Sequence, residues 1–174
     1  MEKMSQGTKL SGLLLIAVLA ITLVGCGGDD KPKGKTAYTG APGASVEVTI
    51  TDADGAVPLS TKKSKVGEVI AGQEERTLYT FRTDSGKTLD CRGECAWKWL
   101  PVIVGRGVSI SGAIEREKVG AVEYAKDSNQ LTYGGHPLYY FSDDQGEDSV
   151  LGNDKESFGA TWSAVTPTGE LASK

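Results

Sequence analysis

Two cysteines, Cys91 and Cys95, have the clearest capacity for chemistry in this sequence. Only three residues separate them, so their thiols are close enough to form a disulfide in a compartment outside the cytoplasm. Their spacing differs from the Cys-x-x-Cys of thioredoxin-like redox sites. We therefore interpret the pair as a structural disulfide, and the alternative is a redox-active or metal-binding pair.

The sequence contains a single histidine, His136, which lies between Gly135 and Pro137. These neighbours indicate a junction between a loop and a strand, where we expect a local hydrogen bond or a surface position. Together with Cys91 and Cys95, His136 would form a ligand set suited to copper or zinc. No Gly-x-Ser-x-Gly motif accompanies it, so the sequence does not favour a hydrolase.

Carboxylates form a third candidate group, in a loop that also holds two glycines. Its members are Asp143, Asp144, Glu147, Asp148 and Asp154. Hard cations such as calcium prefer oxygen ligands, but this spacing does not match an EF-hand loop. The preferred interpretation is a solvated acidic turn.

The elements that position these residues are predicted to be strands. Val46, Val48 and Ile50 alternate with polar residues, which is typical of a half-buried strand. No segment after Cys26 shows a long helical stripe, and only a short helical turn is predicted, near 94–99. The fold class is therefore all-β, either as two similar sheets or as a pseudo-twofold sandwich.

Shared landmarks in the same order indicate two copies of one repeat, at about 65–104 and about 118–167. The first copy contains Lys65-Val66-Gly67, Tyr79, Phe81, Asp84 and Trp99, and the second contains Lys118-Val119-Gly120, Tyr139, Phe141, Asp144 and Trp162. The interval between the Lys-Val-Gly word and the tyrosine is longer in the second copy. We interpret the excess as an added or lengthened hairpin.

Positions within the repeats predict which aromatic residues are buried. Trp99 and Trp162 are expected to anchor the core, because each can bury a large area. An alignment on the tryptophans puts Phe158 in the place of Cys95, which predicts a packing position. Tyr139 and Phe141 share one face of a strand and Tyr140 takes the other, so Tyr140 is the candidate for an exposed, sugar-binding aromatic.

Residues 1–25 are predicted to form a lipoprotein signal peptide. The apolar run at 13–24 is too short to span a bilayer. Leu23-Val24-Gly25-Cys26 follows and resembles a bacterial lipobox. This resemblance implies cleavage before Cys26 and its acylation by two or three chains, which suffice for stable anchoring. Residues 26–44 have few large apolar groups and are predicted to be a flexible tether, followed by a β domain at 45–174.

Several words together resemble one family of bacterial proteins. Both copies fit Tyr-x-aromatic-x-x-Asp, and Cys-x-Gly-x-Cys-Ala-x-x-Trp-x-Pro runs from Cys91 to Pro101. The chain is thus similar to the secreted-repeat lipoproteins described by a Yx(FWY)xxD motif. The resemblance implies a lipoprotein with repeat architecture and no established activity. The family usually has Trp-Pro-Pro where this chain has Trp99 followed by Leu100 and Pro101.

Location and charge limit the functions that the sequence supports. Removal of the signal peptide leaves 17 basic and 22 acidic residues, a net charge of −5, which gives no electrostatic basis for binding nucleic acid. We expect a lipid-anchored, non-enzymatic module on the extracytoplasmic side that binds an envelope protein or a small ligand. The membrane would be the cell membrane in a Gram-positive organism and the outer membrane in a Gram-negative one. The alternative is an envelope redox or copper-handling protein that uses Cys91, Cys95 and His136.

Overall fold

The computed structural model describes residues 45–83 and 89–173. Short segments of alternating apolar and polar residues, separated by glycine-containing turns, form its strands. All of these residues belong to one compact unit. The strands are β1 (Ser45–Val46), β2 (Val57–Ser64), β3 (Gly67–Ala71), β4 (Tyr79–Arg82), β5 (Trp99–Pro101), β6 (Ile103–Val104), β7 (Val108–Ile110), β8 (Val119–Ala125), β9 (Ser128–Tyr133), β10 (His136–Pro137), β11 (Tyr139–Phe141), β12 (Lys155–Ser157) and β13 (Ala160–Ala164). The α-helix α1 covers Glu94–Lys98, and 3₁₀ turns cover Gln73–Glu75 and Arg116–Lys118.

The strands divide into three sheets, so the predicted all-β class is confirmed. A central sheet has the order β12-β13-β4-β11-β5, and a second has the order β1-β8-β9-β10 with β6 also paired to β9. The third sheet has the order β3-β2-β7, in which β2 and β7 are parallel. The predicted helical turn is confirmed by α1. No helix in the described part of the chain is long and apolar enough to cross a membrane.

The first segment of the domain is strand-like for only part of its predicted length. The predicted alternation is present, because Val46, Val48 and Ile50 are half-buried while Glu47 and Thr49 are exposed. Only Ser45–Val46 pairs as a strand, with β8, and Ile50 makes an isolated bridge to Val108. The continuous strand expected over this segment is therefore wrong, because its pairing partner changes along its length.

The central sheet is built by exchange between the two repeats. Tyr79 of β4 pairs directly with its counterpart Tyr139 of β11. On one side, Trp99 of the first repeat pairs with Phe141 of the second. On the other side, Trp162 of the second repeat pairs with Phe81 of the first. The tryptophan strand of each repeat therefore pairs with the aromatic strand of the other repeat. A pseudo-twofold axis between β4 and β11 relates the two sets of pairs.

Main-chain hydrogen bonds outside the central sheet repeat this symmetry. Ile70 N donates to Val165 O at 2.8 Å, and Leu131 N donates to Val102 O at 2.8 Å. These bonds connect the hairpin of each repeat to the segment that follows the tryptophan of the other. Ile70 therefore corresponds to Leu131, and Val102 corresponds to Val165.

The two repeats each contain one hairpin of the same kind. β2 and β3 are joined by Lys65 and Val66, and β8 and β9 are joined by Lys126 and Asp127. The hairpin at 119–133 is thus the counterpart of β2–β3 and has the same length, so its interpretation as an added or lengthened hairpin is wrong. The two Lys-Val-Gly motifs are not structurally equivalent, because the first forms a turn while the second leads into strand β8.

Candidate functional site

The aromatic residues of the repeat motif lie in the core. They are Tyr79, Phe81, Trp99, Tyr139, Phe141 and Trp162, and none is more than 3% exposed. The two indole rings stack at the centre, with centroids 3.9 Å apart and planes 3° from parallel. Trp99 Nε1 donates to Ser157 Oγ at 2.9 Å and Trp162 Nε1 donates to Ser157 O at 3.1 Å, which satisfies both buried indoles. Their place in the core, as predicted for both tryptophans, makes them packing residues.

The motif aspartate of the second repeat is also buried. Asp144 Oδ2 accepts a hydrogen bond from the Tyr79 hydroxyl at 2.7 Å, and its Oδ1 accepts from Ser149 Oγ at 2.8 Å and from Leu151 N at 3.0 Å. Burial, followed by the bond to Asp144, holds the pKa of Tyr79 well above its usual range. The tyrosine therefore stays protonated and donates across the repeat boundary. Asp84, the motif aspartate of the first repeat, lies outside the described residues.

A lysine from the first repeat approaches this acidic loop. Lys62 Nζ donates to Glu75 O at 2.7 Å and also to Glu147 O. Burial lowers the pKa of Lys62, and the nearby carboxylates, Asp144 first among them, oppose that effect. The ammonium group supplies positive charge beside the carboxylates and connects the acidic loop to the first repeat. The alternating pattern of β2 gave no indication of this contact. Asp143, Glu147 and Asp148 are exposed, as expected of a solvated acidic turn, whereas Asp144 is buried.

The two cysteines form the predicted disulfide. Cys91 and Cys95 are buried, and their sulfur atoms are 2.04 Å apart. His136 lies on β10, opposite Tyr133, and burial lowers its pKa. Among residues 45–83 and 89–173 no group of three or more His, Cys, Asp or Glu side chains could hold a metal ion. The structure therefore does not assemble Cys91, Cys95 and His136 into a copper or zinc site.

Two aromatic residues differ from their predicted environments. Tyr140 is half-buried: its hydroxyl accepts a hydrogen bond from Gln73 N at 2.9 Å, and Arg76 Cζ lies 4.7 Å from the centroid of its ring. Each of the five tyrosines in the described residues is buried or half-buried, so the exposed tyrosine surface proposed for sugar binding is absent there. Phe158 is 43% exposed at the β12–β13 turn, and its assignment as a packing position is wrong.

Large exposed apolar side chains are found instead on the segments that follow the aromatic strands. Trp97 on α1 is 81% exposed and Leu151 in the acidic loop is 61% exposed. Sequence reasoning did not single out either residue, although Trp97 lies two positions before the core residue Trp99. An exposed tryptophan is among the side chains that contribute most to binding interfaces.

Leu151 lines an open depression of about 500 Å³ between the β2–β3 turn and the acidic loop. Its lining residues are Lys65, Val66, Gln145, Asp148, Ser149, Val150, Leu151, Asn153 and Asp154. This volume falls within the range of small-molecule sites, roughly 300–1,000 Å³. The lining combines an apolar floor with two carboxylates and one ammonium group, and it presents no cysteine or histidine.

The fold and these side chains define a class of protein: an all-β domain of two intertwined repeats with a buried disulfide and an aromatic core. Residues 60–103 and 120–166 match the family model described as a secreted repeat of unknown function. The chain belongs to this family, which confirms the two tandem repeats and supports an extracellular or envelope location. No curated protein and no solved structure matches the chain.

Proposed function

We propose that this chain is a lipid-anchored protein of the cell envelope whose β domain binds a partner without catalysing a reaction. The observation that supports a binding role is the burial of the aromatic motif residues and Asp144 in the core. Because these side chains hold the repeats together, the residues available to a partner are those of the loops. The lipobox ending at Cys26 supports the anchor, and Cys26 lies outside the described residues.

The depression beside Leu151 is the candidate partner site in the domain. Asp148 and Asp154 line it, and Leu151 offers a large exposed apolar group. An apolar surface with a few charged groups favours a ligand of the same mixed character. The partner that fits best is an envelope protein or small molecule with a basic group next to an apolar one.

A photo-crosslinking experiment in intact cells tests this site. A photoreactive amino acid placed at position 151 in the full-length protein should give a discrete adduct. The same amino acid at Glu117, an exposed position on the 3₁₀ turn Arg116–Lys118 that does not line the depression, serves as the matched control. Reversal of charge by Asp148→Lys should reduce the adduct at least several-fold, because it removes attraction for a basic partner. Equal crosslinking at positions 151 and 117, or no effect of Asp148→Lys, would contradict the proposal.

A further inference from the structure

We infer that the end of the domain carrying the disulfide loop and Trp97 rests on the surface of the membrane, with Trp97 inserted among the lipid headgroups. This inference deepens the proposed function and depends on its lipid anchor. It assigns a role to the most exposed large apolar side chain identified in the domain.

The direction of β1 identifies the end of the domain at which the chain enters. Ser45 pairs with Val122 and Val46 with Ala121, in an antiparallel arrangement. Movement backward from Val46 to Ser45 therefore leads along β8 toward Tyr124. The N-terminal end of β1 thus points to the end of β8 that carries this tyrosine.

The disulfide loop lies at the same end of the domain. Arg92 Cζ is 3.6 Å from the centroid of the Tyr124 ring, so the loop between Cys91 and Cys95 packs against the end of β8. Helix α1 begins within this loop and carries Trp97. The entry point of the chain and the exposed indole therefore belong to one end of the domain.

Helix α1 holds Trp97 on a short, restrained segment. The disulfide closes the segment through Cys95, and Lys98 Nζ forms an ion pair with Asp143 Oδ2 at 2.6 Å. A restrained backbone segment loses less conformational entropy when it binds another surface. Tryptophan suits a membrane interface because its ring is apolar while its N–H group can bond to water or headgroups.

Charge and reach favour lipid as the occupant of this surface. The basic side chains nearest to Trp97 in the sequence are paired with acidic ones, Arg92 with Asp90 and Lys98 with Asp143, and the exposed Glu94 adds a negative charge. Binding at this end therefore depends on the apolar ring of Trp97 and not on attraction between charges. Eighteen residues separate Cys26 from Ser45 and reach about 65 Å at most. With Cys26 acylated, the bilayer is therefore always within reach of the domain.

Tryptophan fluorescence can test the orientation directly. Trp97, Trp99 and Trp162 are the three tryptophans of the sequence, and the latter two are fully buried. The mature, acylated protein would be reconstituted into vesicles of phosphatidylcholine and phosphatidylglycerol, with or without bromine on the acyl chains near the headgroups. We expect brominated lipid to quench wild-type emission at least twice as strongly as that of Trp97→Phe.

A second variant distinguishes orientation from simple exposure. Trp97→Phe combined with Leu151→Trp moves the exposed indole to the acidic loop, where we expect quenching by aqueous acrylamide and not by brominated lipid. Co-flotation with the vesicles is measured in the same samples. Floating wild-type protein that brominated lipid does not quench, or equal quenching of both indole positions, would overturn the orientation alone. Loss of co-flotation would overturn the anchor and, with it, this inference.

Discussion

Among single residues, the hydrogen bond from Tyr79 to Asp144 connects the motif tyrosine of one repeat to the motif aspartate of the other. Both partners are buried, and the carboxylate also accepts bonds from Ser149 and Leu151. Aspartate side chains commonly stabilise turns by accepting bonds from nearby backbone amides, and the bond from Leu151 N fits that role. The bond from Tyr79 gives it a second role that spans both repeats.

Loss of the Tyr79 hydroxyl should therefore destabilise the domain. Tyr79→Phe leaves Asp144 Oδ2 without this donor, and we expect a loss of about 1–3 kcal/mol in the free energy of unfolding. Urea denaturation monitored by circular dichroism measures it. Tyr124→Phe, on a half-buried ring, is the control and should change stability by less than about 0.5 kcal/mol. Equal stability of Tyr79→Phe and wild type would show that the cross-repeat bond contributes nothing.

Tyr139 makes the stability of the domain depend on pH in the alkaline range. Burial raises the pKa of Tyr139 to about 12. The unfolded chain ionises near pH 10 while the folded chain keeps its proton, so stability is full below pH 10 and falls as the pH rises toward 12. Tyr139→Phe should weaken this decline by on the order of 2 kcal/mol across that interval. Unfolding curves at pH 8 and pH 11.5 compare the two proteins, and an identical decline in both would contradict the assignment.

Among the elements, the β12–β13 hairpin contains an unfavourable turn residue. Phe158 and Gly159 are its two central residues, with φ values of 54° and 75°. Two positive φ angles are typical of a type I′ turn, which favours Asn-Gly, and a phenylalanine side chain is strained there. Since Phe158 is also partly exposed, packing offers it less compensation than a fully buried ring would receive.

Replacement of this residue should consequently stabilise the domain. We expect Phe158→Asn to increase the free energy of unfolding by about 0.5–1 kcal/mol, because asparagine adopts positive φ more readily. Thermal and urea denaturation provide the measurement, and Phe158→Ala is a control that removes the ring without supplying a suitable turn residue. A loss of stability of similar size in Phe158→Asn and Phe158→Ala would contradict the prediction, because it would show that the phenyl ring makes a stabilising contact.

The whole domain is organised by exchange between its repeats. Each aromatic strand, β4 or β11, pairs with the tryptophan strand of the other repeat, and the two tryptophans stack between them. Neither repeat alone can form this sheet, because the first repeat supplies only two of its five strands and the second only three. Both copies therefore contribute strands to one sheet and aromatic side chains to one core.

The predicted anchor concerns the full-length protein. If Cys26 carries two or three acyl chains, the native protein should partition into the detergent phase of a Triton X-114 extraction, because each buried methylene adds about 0.8 kcal/mol of membrane affinity. Replacement of residues 1–26 by an ordinary cleavable signal peptide should move the domain to the aqueous phase with its circular dichroism spectrum unchanged. Mass spectrometry of the N-terminal peptide identifies the acyl chains. An unmodified Cys26 thiol in the mature protein would refute the anchor.

Local patterns were sufficient for several features of this protein. The all-β class, the helical turn at α1 and the disulfide were predicted because strand periodicity and cysteine spacing depend on neighbours in the sequence. Burial of Trp99 and Trp162 was likewise predictable from the size of their side chains. The recurrence of the motif residues indicated two repeats, and the family match confirms them.

Only the tertiary structure decided which strands pair and which side chains meet. The Lys-Val-Gly words look equivalent, yet one forms a turn and the other leads into a strand, because pairing is selected by burial of distant aromatic residues. The contacts of Lys62 and Tyr140 follow from the same long-range packing, which leaves no period in the local sequence. The sequence alone thus determined the kinds of secondary-structure element and the presence of two repeats. The pairing of strands from one repeat with strands from the other required the complete fold.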